Sequence, residues 1–277
     1  MYQQFILNFL EKSGRIMKRI DRNKETVKTK STNNKKLTTG LIIAGAVLLV
    51  AGLVFLMIEP IKRHNRKKIS SDALTEISEK IDSIATAESA DSTIETTEEV
   101  RITYTVPAEG NEVPGEEEGY DIGGEEAQEE GILEEKPDSS GNVTLNSIGI
   151  LKINAIGISY SVWDEATKVS LRYGLGHYPD SAIPGEAGNA TILGHNYKDG
   201  TMFHNLGKLK KGDKVVFKSK NGKEYTFVIE ESKIISADDL YKYIGADASS
   251  DSQLTLVTCT YEYGKKGWRR IVICKKQ

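Results

Sequence analysis

Cysteine is almost missing from this 277-residue sequence; Cys259 and Cys274 are the two that occur. Two thiols cannot build a disulfide scaffold or a cysteine-rich zinc site. Histidine is scarce too, with four residues and no HExxH spacing, which argues against a zinc peptidase. The acids Glu186, Asp199, Glu230 and Glu231 are scattered without ligand spacing, so no metal and no cofactor is expected. An even spread of charge is also lacking. The net charge of −3 conceals +11 over residues 1–68, −19 over 69–140 and +5 over 141–277. A single compact domain rarely sorts its charge like this, so the sequence reads as an N-terminal part, a linker and one C-terminal domain.

What is present begins with an apolar run. Residues 41–58, LIIAGAVLLVAGLVFLMI, hold no charge and no strong polar group. Crossing the hydrocarbon of a bilayer takes ~20 helical residues, and Thr39 and Gly40 extend the run. A cleaved signal peptide would have a shorter apolar core nearer the N-terminus and a small-residue cleavage site. Here the run meets Glu59, Pro60 and basic residues instead. The expectation is a basic tail over 1–38 and an uncleaved transmembrane anchor over 39–59. Residues 18–37 hold eight Lys and Arg against five over 62–68, which favours a cytoplasmic N-terminus and an extracellular remainder. That sorting already accounts for the basic tail, so no nucleic-acid partner is expected. Within 2–20, apolar residues at helical spacing leave three readings open: an amphipathic helix on the inner leaflet, a solvated tail, or an extension ahead of a start at Met17.

Residues 60–140 read as an extracellular acidic linker. From 69 to 140 the chain is rich in Glu, Ser, Thr, Ala and Gly and poor in aromatics. High net charge with little apolar surface predicts disorder. Two pieces stand out. Leu74, Ile77, Ile81 and Ile84 share one helix face, as a transient helix or a docking element. Arg101–Pro107 looks extended.

Residues 141–277 alternate with period two between turn signals, which predicts strands near 148–153, 156–162, 190–194, 213–219, 223–231, 254–259 and 268–274. Asn221-Gly222 marks a hairpin, and Ser236–Tyr243 a short helix. Many short strands with little helix point to a β-barrel or sandwich. Three chemistry-bearing residues sit at strand ends: His195 after Ala190–Gly194, Cys259 closing Thr255–Cys259, and Arg270 opening Ile271–Lys275. Each alone has a structural reading; a lone cysteine is most often a small buried hydrophobe.

Together, Ile192-Leu-Gly-His195, Thr255-Leu-Val-Thr-Cys259 and Arg269-Arg-Ile-Val-Ile273 resemble the ordered His, TLxTC and Arg motifs of sortases, the membrane-anchored cysteine transpeptidases of Gram-positive bacteria. Gly174–Asp180, Ile183–Asn189, Phe203–Leu206 and Lys211–Asp213 extend the likeness across 145–274. The resemblance implies an eight-stranded β-barrel with short helices over 141–277. It implies Cys259 as nucleophile, His195 as acid and base, Arg270 as a fixed donor to substrate or oxyanion, and Thr258 as an aid to that oxyanion. Neighbours on a strand point to opposite faces, so one of Arg269 and Arg270 enters the groove; the spacing to Ile271 favours Arg270. The implied partners are surface proteins with an LPxTG-like sorting signal and a cell-wall amine. The β-connection over 233–252 is implied to recognise the signal, with Ile234, Ile235, Leu240, Tyr241 and Ile244 as candidate pocket walls. The likeness is to classes A and D, with class B features near Gly194–Phe203. An Asp-Pro-aromatic lid and a C-terminal apolar anchor, expected of pilus-polymerising sortases, are not found. With ordinary acidities, about 1% of molecules would hold thiolate and imidazolium together at pH 7. The alternatives are a purely hydrolytic cysteine peptidase and a non-enzymatic adhesion module whose cysteine is structural.

Overall fold

The computed structural model describes residues 2–90, 100–112, 136–245, 251–260 and 267–277. The chain divides into two compact units, Met1–Glu59 and Pro60–Gln277. Helix α1 (Tyr2–Ala90) supplies the first and opens the second. In the first unit the apolar side chains from Leu41 to Ile58 are exposed. Among the described residues this is the one helix apolar and long enough to cross a membrane, and it fits a membrane anchor. The side chains of most of the basic tail lie outside the described residues, as does 113–135 at the centre of the acidic stretch.

Among the described residues the second unit holds nine strands: β1 (Ile102–Pro107), β2 (Asn142–Ile153), β3 (Ile158–Trp163), β4 (Leu175–His177), β5 (Gly188–Leu193), β6 (Lys214–Ser219), β7 (Glu224–Ser236), β8 (Ser252–Thr260) and β9 (Trp268–Lys276). Their order is β1-β2-β3-β4-β5-β8-β9-β7-β6, and β2 also pairs with β6. That second pairing closes eight strands into the expected barrel and leaves β1 as an addition on its rim. Strand β2 serves both partners in turn: residues 142–147 pair with β1, and 149–152 with β6. The switch falls at Gly149, where a Cβ would lie 2.2 Å from the Lys218 carbonyl oxygen, so only glycine permits the approach. Asn221-Gly222 forms the β6–β7 turn, with Gly222 at φ 79°. The barrel is filled by the inward residues of each strand, among them Leu151, Val162, Ile192, Phe217, Phe227, Leu256, Val272 and Cys274.

The acidic stretch is the principal departure from the sequence reading. Residues 60–90 and 100–112, placed there in an unfolded linker, are folded parts of the second unit. Arg66, Ser70, Ala73, Ile77 and Ile81 are buried along one stripe of α1, at spacings of one helical turn. The stripe packs with Ile102 and Val106 of β1 and with Val143, Leu145, Ile150, Trp163 and Tyr173 in a second apolar cluster. Each fully buried Ile or Val contributes about 1.5–3 kcal/mol, which offsets the charge on the opposite face. Beyond β1 the chain latches onto α2 (Lys168–Tyr173): Arg172 donates to the Ala108 carbonyl at 2.7 Å and pairs with Glu112 at 2.9 Å, and the Tyr173 hydroxyl donates to the Pro107 carbonyl at 3.0 Å.

Candidate active site

Strands β5, β8 and β9 are neighbours, and their registers decide what shares a face. Leu193 of β5 lies beside Val257 of the parallel β8, and the Gly194 amide donates to the Val257 carbonyl at 3.1 Å. His195 follows two residues past Leu193, in the loop that leaves β5. On the other side β9 runs antiparallel, with Val257 opposite Ile271 and Cys259 opposite Arg269. Cys259 and Arg269 therefore share the outer face of β8 and β9, and the His195 loop leaves the adjacent strand. That face is floored by Leu193, Val257, Ile271, Ile235, Leu240, Ala166 and Leu171, a third apolar cluster.

The register corrects the choice of arginine. Arg270 stands opposite Thr258, one position out of phase with Cys259. Its side chain lies against Gly207, where a Cβ would come within 3.0 Å of Nε, and its Nη1 is 3.4 Å from the Ser232 hydroxyl. Arg269 is buried and is the cation that acts on the Cys259 thiol. Thr258 also departs from the role its position implied. Its hydroxyl donates to the Gly194 carbonyl at 2.7 Å, on the face away from Cys259. It ties the chain that presents His195 to the strand that presents the thiol.

Burial dominates the electrostatics. It pushes the Cys259 thiol up, and Arg269 offsets part of that rise. His195 is buried, and burial, then Arg66 and Arg172, lower it to about 3. The resting pair is a thiol and a neutral imidazole. Cys274 sits in the barrel core, its thiol pushed up to about 12 by burial.

The loop after His195 is closed by its own bonds. The Phe203 amide donates to the His195 carbonyl at 2.9 Å. Asn196 Nδ2 donates to the Cys259 carbonyl at 2.9 Å, and its Oδ1 lies 2.9 Å from His204 Nδ1. Asp199 Oδ1 accepts from the Thr201 hydroxyl at 2.6 Å and amide at 3.1 Å. The Tyr197 ring lies 4.7 Å from the His195 ring, centroid to centroid. Sequence reasoning gave Asn196, Tyr197 and Asp199 no part in the site; the signal was their place within four residues after the histidine. His177 is packed, its Nε2 2.9 Å from the Ala182 carbonyl oxygen and 3.0 Å from the Ser181 hydroxyl.

The candidate pocket residues divide. Ile235 and Leu240 are buried in the cluster beneath the Cys259 face, with Ile244 against its edge. Ile235 pairs with Arg269, whereas Ile234 pairs with Arg270 in the opposite phase. Tyr241 is exposed on the short helical turn Ala237–Lys242. Ile234 and Ile235 belong to β7, which runs to Ser236, so the connection is shorter than 233–252.

Residues 151–277 match the Sortase domain family. The chain is 32% identical over 130 residues to Sortase D of Bacillus subtilis (strain 168), covering 47% of this chain and 63% of that one. It is 27% identical over 113 residues to Sortase A of Bacillus anthracis, covering 40% and 51%. The chain thus spans about half to two thirds of the length of these relatives. Among solved structures it is similar to a Clostridium perfringens Sortase D5 transpeptidase, at 25% identity over 55% of this chain and 86% of that one, with a TM-score of 0.43. Over residues 151–277 this chain is thus similar to the sortase family.

Proposed function

We propose that the protein is a membrane-anchored cysteine transpeptidase that cleaves an LPxTG-like sorting signal and transfers the surface protein to a cell-wall amine. The observation that supports this most is the register that sets Cys259 of β8 opposite Arg269 of β9, with His195 two residues past the end of the neighbouring β5. The Cys259 sulfur attacks the scissile carbonyl while its proton passes to the His195 imidazole. The oxyanion that forms faces the Arg269 guanidinium, whose planar fork of N–H donors is fixed by burial. Collapse breaks the C–N bond, and the imidazolium gives its proton to the departing amine. Burial, then Arg66 and Arg172, disfavour that imidazolium, so it is a strong acid toward a poor leaving group. The thioester stays until an amine attacks it. The amine's proton goes to His195, the C–S bond breaks, and the thiol is restored.

The test is a product assay on the full chain with an LPxTG-like peptide, with and without an added amine. A new amide that forms only with the amine is expected, and neither product should form with Cys259→Ala. Hydrolysis that is indifferent to the amine would favour the peptidase reading. A folded Cys259 that no thiol reagent labels would favour the adhesion module.

A further inference from the structure

The folded segment that follows the apolar run reaches the histidine loop chiefly through Arg66. Arg66 lies eight residues past Ile58 on α1 and is 1% exposed. Its guanidinium carbon stands 3.6 Å from the centroid of the Tyr197 ring. Its Nη2 is 2.9 Å from Asp199 Oδ2, and Lys67 Nζ is 3.4 Å from the same oxygen. Tyr197 also neighbours His195, with ring centroids 4.7 Å apart and planes tilted by 32°. Tyr197 thus touches both Arg66 and His195, and Asp199 holds Arg66 in place. Burial disfavours the charged form of Asp199, but the Thr201 hydroxyl and amide, with Arg66 and Lys67, outweigh it and hold the carboxyl low.

A buried ion pair is weak evidence for stability, because an apolar pair of similar size often serves as well. Tertiary stability also does not require a cation here, since the same helix face is already seated by Ala73, Ile77 and Ile81. What the guanidinium adds is a planar, charged surface against one particular ring, two residues from the histidine.

We propose that Arg66 is a positioning residue for His195: through Tyr197 and Asp199, the helix directly after the membrane run holds the His195 loop in register with Cys259. The inference rests on the reading that His195 carries protons in the reaction. It makes the segment 60–70 part of the catalytic apparatus rather than a tether. Detaching this helix would leave the thiol strand in place and loosen its proton carrier.

The test uses the full chain in lipid nanodiscs and reads peptide transfer together with the carbon-13 signal of the His195 ring. Arg66→Gln should lower kcat at least tenfold with KM within twofold, and the His195 signal should titrate at higher pH because one facing cation is gone. Arg66→Lys should keep the His195 titration near that of the parent and recover only part of kcat, because it restores charge without the planar stack. If Arg66→Gln fails to fold, Tyr197→Leu asks the same question from the loop side and should show the same loss in kcat at unchanged KM. A folded Arg66→Gln or Tyr197→Leu protein with kcat within twofold and an unmoved His195 signal overturns the proposal. His195→Ala and Cys259→Ala separate the two readings. If both still transfer peptide, the transpeptidase reading falls, and the His195 signal of Arg66→Gln alone then decides whether Arg66 positions the ring.

Discussion

At the scale of single residues, the assignment turns on one position in β9. Arg269 stands across from Cys259 and Arg270 across from Thr258, so in the proposed reaction the donor needed at the oxyanion would come from Arg269. We expect Arg269→Lys to lower kcat/KM by roughly 100-fold, the scale of a lost oxyanion donor. Arg270→Lys should stay within about threefold, as measured by peptide transfer in the presence of an amine. The opposite order would return the role to Arg270. The sequence shows why this was hard to read. His195 and Cys259 stand out because each ends an apolar run, and their strands pair in parallel. The phase of β9 against β8 depends on the connection between them, and two adjacent arginines satisfy the same motif. Histidine makes a second prediction. Its neutral form is favoured in the fold, with an acidity of about 3, while the unfolded chain takes up its proton near pH ~6.5. Between those values the unfolded state binds more protons, so the fold loses stability as pH drops below ~6.5, by at most about 1.4 kcal/mol per pH unit from this group. Thermal unfolding followed from pH 7 to pH 4.5 should fall less steeply for His195→Gln than for the parent.

At the scale of elements, the strands were largely legible and the acidic stretch was not. Period-two alternation located the seven longer strands of the barrel to within a few residues, except that β2 and β7 extend further. The three-residue β4 and the buried turns of α2 carry too short a pattern to be seen. The helix after residue 60 was visible only as a face, Leu74-Ile77-Ile81-Ile84, within a composition that argues for disorder. Its stabilising partners, Ile102 and Val106 of β1 and Trp163 of β3, are distant in sequence, so the face could suggest a docking element but not show where it docks. The consequence is testable. Without residues 60–112, the apolar side chains of Val143, Leu145, Ile150, Trp163 and Tyr173 lose the surface that covers them. A fragment of 60–277 should melt cooperatively. A fragment of 141–277 should melt at least 10 °C lower or bind a hydrophobic dye in its native buffer. Equal melting temperatures would show that α1 and β1 add nothing to the barrel.

At the scale of the whole molecule, the separated charges bear on how the chain is inserted in a membrane. The apolar run from Leu41 to Ile58 exposes its side chains, and lipid is the medium in which such a surface is favourable. Basic residues flank it on both sides, eight before and five after, so the asymmetry that sets orientation is modest. The second flank, however, is not free to move to the other side of the bilayer. Arg66 is buried against Tyr197 and Asp199, and Lys62 donates to the Glu112 carbonyl at 2.9 Å. Charges committed to a folded domain go where that domain goes, and the reaction proposed for this domain would take place outside. On that reading the five basic residues after the run count for less than their number in the orientation signal, and the eight in the tail dominate. Protease added to intact protoplasts should therefore remove the 141–277 epitope, while an epitope tag at the N-terminus stays protected until the membrane is opened. Protection of the C-terminal domain in sealed cells would reverse the orientation and, with it, the access to surface proteins that the proposed reaction requires.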